Sequence, residues 1–280
     1  MRFAKRIRLR GPVLARELAL ALVLAGGSFQ LARADLLTTN LLLNPGAEAG
    51  TTTNWVIGGV SNPGVDNGTF DSGIKTHSGS FDFFGRSGAE GTLSQTVFLP
   101  GIPGITSGLI DAGLLTANVS FWEQGYNQGT PSDEARVIVT FLDANTNLIG
   151  TNATPFIDSH NLTWQNYSNQ YAIPVGTRLI TYTMDFHRNV GNDNDSFIDD
   201  NVLTVASIPG PALSILPAGT NVLVAWPVTT PAYGAESTAA LSSPAWTTVT
   251  NVPTTVSGTN FITNAISGVS CFYRLSVNLP

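Results

Sequence analysis

The 280-residue sequence contains one cysteine, two methionines and three histidines, and only 11% of its residues are charged. A lone cysteine excludes an intramolecular disulfide, so stability has to come from packing or from a bound ion. Cys271 lies in Ser-Cys-Phe-Tyr-Arg-Leu, where it reads as a small hydrophobe packed in a strand. The histidines (His77, His160 and His187) have no metal-ligand spacing, and the Gly-x-Ser-x-Gly and His-Glu-x-x-His motifs are both missing. The chain therefore reads as a non-enzyme. A glycan-active hydrolase or lyase is the lesser alternative, because paired carboxylates can come from any strand of a β protein. Helical periodicity is nearly missing after the first residues, and no apolar run reaches the roughly 20 residues of a membrane helix.

Positive charge is scarce once the N-terminus is set aside. Arg2, Lys5, Arg6, Arg8 and Arg10 form a basic region, Leu18 to Ala25 is a short apolar core, and Ala32-Arg33-Ala34 is a small-x-small site. That order is an export signal cleaved near Ala34, which predicts a secreted, extracellular protein. Residues 1–34 hold seven of the 13 Lys and Arg and one of the 19 Asp and Glu. The remainder has six basic and eighteen acidic residues, a net of −12. Such a balance argues against nucleic acid and anionic membrane surfaces, and favours neutral partners such as sugars, or cations. No membrane insertion is expected after cleavage.

Gly, Pro, Asn, Thr and Ser are abundant, and alternating apolar runs recur between turn signals. This predicts an all-β chain, a jelly-roll β-sandwich over 36–206 followed by a smaller β-sandwich-like domain over 212–280. Predicted strands are Asn40–Leu43, Trp55–Val60, Ser80–Phe84, Gly91–Phe98, Leu115–Gln124, Arg136–Asp143, Trp164–Ile173, Arg178–Arg188 and Ser196–Val205. Ile208-Pro-Gly-Pro211 interrupts the alternation and marks a linker over 207–211. Beyond it, Asn221–Trp226, Tyr233–Leu241, Trp246–Val249, Asn260–Ile266 and Cys271–Val277 read as strands, with Trp226, Trp246 and Phe272 as core anchors.

The first domain closes on Gly191-Asn-Asp-Asn-Asp-Ser-Phe-Ile-Asp-Asp-Asn. Asp193, Asp195, Asp199 and Asp200 must be solvated, protonated or bound to a cation, and hard oxygen ligands suit Ca²⁺. A helix–loop–helix calcium site is excluded, because no Gly stands at position 6 and Thr204 occupies the place of the bidentate Glu. A solvated hairpin tip and a calcium site fed by distant segments both remain open on this chemistry.

Several segments carry a resemblance. Asn40-Leu-Leu-Leu-Asn-Pro-Gly-Ala-Glu48, Thr76-His-Ser-Gly-Ser-Phe-Asp-Phe83, Val119-Ser-Phe-Trp122, Trp164 with Ile173-Pro-Val-Gly-Thr177, and Phe197-Ile-Asp-Asp-Asn-Val202 resemble, in order, the strands of CenC-type carbohydrate-binding modules. The resemblance covers 36–206 and implies a galactose-binding-like jelly roll. It also implies a structural Ca²⁺ joining the first and last strands, carried over to Glu48 and Asp200 with carbonyls near Asn44 or Ser80. Asp193 and Asp195 then read as solvated loop residues. The segment 211–279 resembles a small β module appended to secreted bacterial proteins, whose low charge suits packing against an envelope component.

Strand alternation selects a candidate sugar face, because successive residues face opposite sides. Ala117, Val119, Phe121, Val137, Val139, Phe141, Ile180, Tyr182, Met184 and Phe186 read as core. If the three strands are neighbours, their other face holds Trp122, Gln124, Tyr126, Arg136, Asp185 and His187. An aromatic plane for sugar C–H groups beside planar polar groups for hydroxyls suits a neutral polysaccharide or glycan. The bland alternative covers Trp122 with a loop and pairs Arg136 with Asp185 as a surface salt bridge. It leaves a structural or adhesive protein of the same fold.

Overall fold

A computed structural model describes residues 35–157, 163–242, 245–265 and 271–277. The proposed signal, its cleavage site and His160 lie outside the described residues. Those up to Ile208 form one compact unit and those from Pro209 a second. Both are β-sheet proteins, and no helix among the described residues is long and apolar enough to cross a membrane.

The first unit holds strands β1 (Val56–Gly59), β2 (Gly64–Asp66), β3 (Asp82–Ser87), β4 (Glu90–Phe98), β5 (Leu115–Gly125), β6 (Glu134–Leu142), β7 (Leu148–Ala153), β8 (Gln165–Ala172), β9 (Leu179–His187) and β10 (Asp193–Ser207). One short helix, α1 (Ser107–Asp111), begins at Thr106, whose side chain accepts from Leu109 N. The strands form two five-stranded antiparallel sheets, β2-β3-β10-β5-β8 (sheet A) and β1-β4-β9-β6-β7 (sheet B). This is the jelly-roll β-sandwich anticipated from the alternation.

The inward faces pack as the sequence predicts. Ala117, Val119 and Phe121 of β5 meet Val137, Val139 and Phe141 of β6 and Ile180, Tyr182, Met184 and Phe186 of β9, each at 2% exposure or less. Each large side chain removed from water contributes about 1.5–3 kcal/mol, which compensates for the missing disulfide. The buried Tyr182 hydroxyl donates to Asn201 Oδ1 at 2.8 Å, so its burial leaves no orphaned donor. Trp55 joins this core, edge-on to Phe83 and Tyr182.

The sequence misplaces the first strand. Asn40–Leu43 forms no regular strand, because side chains replace ladder partners there. Asn40 Oδ1 accepts from Leu203 N at 3.0 Å, and Thr38 Oγ1 accepts from Val205 N at 2.9 Å. The segment still runs along β10 through Leu37 N to Val205 O and Leu41 N to Leu203 O. The short β2 and β7 carry too little alternation to be read in advance.

The second unit has β11 (Ser214–Ala218), β12 (Asn221–Pro227), β13 (Tyr233–Thr238), β14 (Thr247–Thr248), β15 (Thr254–Val256), β16 (Thr259–Ala265) and β17 (Phe272–Val277). They form a four-stranded sheet β11-β12-β16-β15 and a three-stranded sheet β14-β13-β17. Its small core is Val224, Trp226, Ala235 and Ile262. Trp246 and Phe272, expected as core anchors, and Cys271 differ from expectation: Trp246 is half-buried outside the core, under the Arg274 guanidinium at 4.5 Å. Phe272 is 36% exposed, because β17 turns Tyr273 and Leu275 inward. Cys271 is exposed rather than packed, since it lies one residue before that strand begins.

Candidate functional site

The predicted sugar face divides between two sheets. Trp122, Gln124 and Tyr126 belong to β5 and the turn after it, in sheet A, whereas Arg136 and Asp185 are directly opposed on β6 and β9 of sheet B. They therefore occupy opposite outer faces of the sandwich. Alternation fixes whether a residue points inward or outward, but leaves open which sheet its strand joins.

On sheet A the outer face is covered around Trp122 and Gln124, whereas Ser168 and Gln170 of β8 stay exposed. Phe84, Phe197 and Ile74 form a second small core with Tyr126 and Trp164 packed against it, and Gln124 is 1% exposed. The cover is the segment 67–81, tied down at several points. Asp66 accepts from Gly68 N at 2.9 Å and Phe70 N at 3.1 Å, and Trp164 Nε1 donates to Lys75 O at 2.7 Å. His77 stacks on Trp122 at 3.9 Å between ring centroids, which occupies the ring face a sugar would use.

The end of that cover meets an acidic cluster. His77 Nδ1 lies 2.7 Å from Asp200 Oδ2, Ser78 Oγ donates to Asp200 Oδ1 at 2.9 Å, and Ser78 N donates to Asp199 Oδ2 at 3.1 Å. Consecutive residues of a regular strand could not both reach Ser78. Here the β10–β5 register slips between Asp199 and Val202, and Asp200 takes a positive φ of 49°, so the bulge turns both carboxylates to one side. Glu48 accepts from Ser80 N at 3.0 Å and Phe81 N at 3.1 Å. Gly79 has φ +58°, and a Cβ there would stand 2.3 Å from the Glu48 carboxyl.

Asp82 is the member that sequence reasoning missed. It is fully buried, and neither carboxylate oxygen has a hydrogen-bond partner among the described residues. Burial, then Asp66, Asp199 and Glu48, push its carboxyl from 3.8 up to about 8. Burial likewise raises Asp199 to about 7, against the two backbone N–H groups that stabilise its charge. A buried carboxylate without donors in an acidic neighbourhood suits a hard divalent cation nearby, and the ligand atoms that lie within 4.8 Å of one another are those of His77, Asp199 and Asp200. Gly46 lets its backbone approach the two aspartates closely, since a Cβ there would lie 3.2 Å from Asp199 Oδ1 and 3.3 Å from Asp200 Oδ1. Glu48 and Asp200 do come to one neighbourhood, although the oxygens of Asp200 are taken by Ser78 and His77. Asp82 stands on the same face as Phe84, under the covering segment, so alternation alone reads it as an ordinary outward acid.

Asp195 departs from its reading as solvated. It is 9% exposed, accepts from Gln128 Nε2 at 2.5 Å, and rises to about 7 through burial and the nearby Asp71 and Asp133. Asp133 itself accepts from the backbone of Asn189, Val190 and Asp195 at 2.7–3.0 Å, which fixes the turn before β10. Asp193 is exposed.

On sheet B the outer face is open and ordered in rows, because directly opposed residues share a face. Glu90, His187 and Glu134 form one row, and Thr92, Asp185 and Arg136 the next. Arg136 Nε donates to Asp185 Oδ2 at 2.8 Å. The ring of Phe156 lies 4.0 Å from the guanidinium carbon and 5.5 Å from His187. His187 Nδ1 stands 3.5 Å from Glu90 Oε1. Beyond come Ser94, Thr183 and Ile138, then Thr96, Thr181 and Thr140, with Thr96 and Thr181 hydroxyls 2.9 Å apart. Phe156 gave no sequence signal because it follows β7 in an irregular segment.

No protein-family model matches the chain, and no curated protein matches it. Among solved structures, a CBM61 module in complex with β-1,4-galactotriose shares 23% identity over 59% of this chain and 98% of its own, with a TM-score of 0.41. The CBM22-1 xylan-binding domain of Paenibacillus barcinonensis Xyn10C shares 14% over 65% and 99%, at 0.39. A family 16 carbohydrate-binding module shares 18% over 59% and 99%, at 0.41. With scores this low the likeness fixes neither ligand nor fold, and the fold is read from the strands themselves.

Proposed function

We propose that the chain is a secreted, non-catalytic carbohydrate-binding protein of CenC type, taking a neutral polysaccharide or glycan on the outer face of sheet B. One observation carries this reading. The Arg136 guanidinium is held flat between Asp185 at 2.8 Å and Phe156 at 4.0 Å, at the end of a face otherwise rich in hydroxyls. A pre-oriented planar donor binds sugar hydroxyls at a lowered ordering cost, and since the guanidinium covers one face of Phe156, sugar C–H contact falls to the ring's other face. The pairing cancels the charge of Arg136, which suits an uncharged ligand. A glycoside-cleaving acid is a sheltered carboxyl, whereas the Glu90 side chain is 65% exposed and Asp185 is committed to Arg136. On this face the reading is therefore binding rather than cleavage.

In the same reading a structural Ca²⁺ sits at Asp199 and Asp200, whose ligand atoms lie within 4.8 Å of one another and of His77, with Glu48 tying down the covering segment and Asp82 adding buried negative charge. The ion would supply the counter-charge that these acids lack and tie the ends of the domain together. A structural or adhesive envelope role without sugar affinity is the second reading, favoured by the covered Trp122. The test is affinity on a panel of soluble glycans and insoluble polysaccharides, using wild type, Arg136→Ala and Phe156→Ala. Binding that both substitutions abolish with unchanged thermal melts supports the sugar reading. No binding by the wild type to any glycan sinks it and leaves the structural role.

A further inference from the structure

The open face of sheet B does not end with hydroxyls. Its last row is Phe98 of β4, Leu179 of β9, Leu142 of β6 and Leu148 of β7, directly opposed in register across four strands. Phe98 is 57% exposed and Leu148 67%. Leu179 and Leu142 are half-buried. Nothing in the strand pattern requires this. An outward position on an antiparallel sheet with one solvated face is ordinarily polar, and the same four strands obey that rule one row earlier with Thr96, Thr181, Thr140 and Thr151. Four adjacent exceptions in a single row make a continuous apolar strip, the kind of exposed feature that marks a contact surface.

The strip and the Arg136 site share one surface. Along β9 the outward residues run His187, Asp185, Thr183, Thr181 and Leu179, a span of about 27 Å at 3.4 Å per residue. Polarity falls in one direction along it, from an ion-paired end through two uncharged rows to an apolar end. A ligand lying along this face meets hydroxyl-binding groups first and an apolar strip last. We infer that the glycan recognised here carries an apolar group at one end, as an acylated or lipid-linked saccharide does, and that Phe98, Leu179, Leu142 and Leu148 bind that group.

The inference rests on sheet B being the sugar face, and the experiment separates the two. Methyl and hexyl β-glycosides of cellobiose, lactose and xylobiose are titrated calorimetrically, below micelle-forming concentrations, into wild type, Phe98→Ser, Leu148→Ser and Arg136→Ala. Each buried methylene changes affinity by about fourfold, so the hexyl form of the sugar that binds should exceed the methyl form by at least about tenfold. Phe98→Ser and Leu148→Ser should erase that ratio and leave the affinity for the methyl glycoside intact. Both positions are exposed, so the thermal melt should stay unchanged. Arg136→Ala should weaken both forms equally. Methyl and hexyl forms binding alike would overturn the apolar strip while leaving the sugar reading standing. No binding of any form overturns both. A concentration-dependent dimer that Phe98→Ser dissociates would assign the strip to a second copy of the chain, and would also overturn the inference.

Discussion

Asp82→Asn should flatten part of the pH dependence of stability, and the sign follows from burial. A carboxyl raised in the folded state from 3.8 to about 8 prefers its neutral form there, while the unfolded chain ionises freely above about pH 4. Its contribution is therefore fully present below the unfolded value and is lost as pH climbs through about 8. Each pH unit is worth roughly 1.4 kcal/mol, so the loss between about pH 4 and about pH 8 is on the order of 5 kcal/mol. Asp199, raised to about 7, adds a coupled loss over the lower part of that window. Asn cannot ionise, so in chelator the stability of the variant relative to wild type should rise by about 3–5 kcal/mol across this range. Calcium should reduce the wild-type slope, because an ion at Asp199 and Asp200 favours the charged forms of Asp199 and of Asp82 near it. The assay is urea unfolding at several pH values, with chelator and with calcium. A wild type equally stable at both ends in chelator, or a variant keeping the whole slope, would refute the reasoning.

Three further substitutions probe the framework. Trp122→Ala should cost about 2 kcal/mol or more by unseating His77 and the cover, read by thermal melt, and should leave glycan affinity unchanged. Gly79→Ala forces a side chain onto φ +58° and into the Glu48 carboxyl; it should cost about 2 kcal/mol and abolish the calcium-dependent rise in melting temperature. Tyr182→Phe removes the buried bond to Asn201 and should lower unfolding free energy by about 1–2 kcal/mol.

The strands of the sandwich were legible because alternation over eight or more residues is a strong signal. β4, β5, β6, β8, β9 and β10 all lie where periodicity placed them, and their inward residues are the core. Sheet membership was not legible. β5 and β6 are adjacent in sequence yet fall in different sheets, so six candidate ligand residues became two groups on opposite faces. Arg136, Asp185 and His187 stayed together because β6 and β9 pair. Glu48 and Asp200 each bind the covering segment, at Ser80 and at Ser78. Asp82 and Phe156 could not be found from sequence, since one is an outward acid that only the covering segment buries and the other gains its role only from the fold. Cys271 and Phe272 were misjudged at a strand end, where one residue decides between core and solvent.

The most direct measurement is the affinity of Arg136→Ala beside Trp122→Ala for whichever glycan the wild type binds. The account predicts that Arg136→Ala loses binding with an unchanged melt, while Trp122→Ala binds normally with a lowered melt. The opposite pattern, with Trp122→Ala unable to bind and Arg136→Ala unaffected, would move the sugar site to sheet A and contradict the central claim.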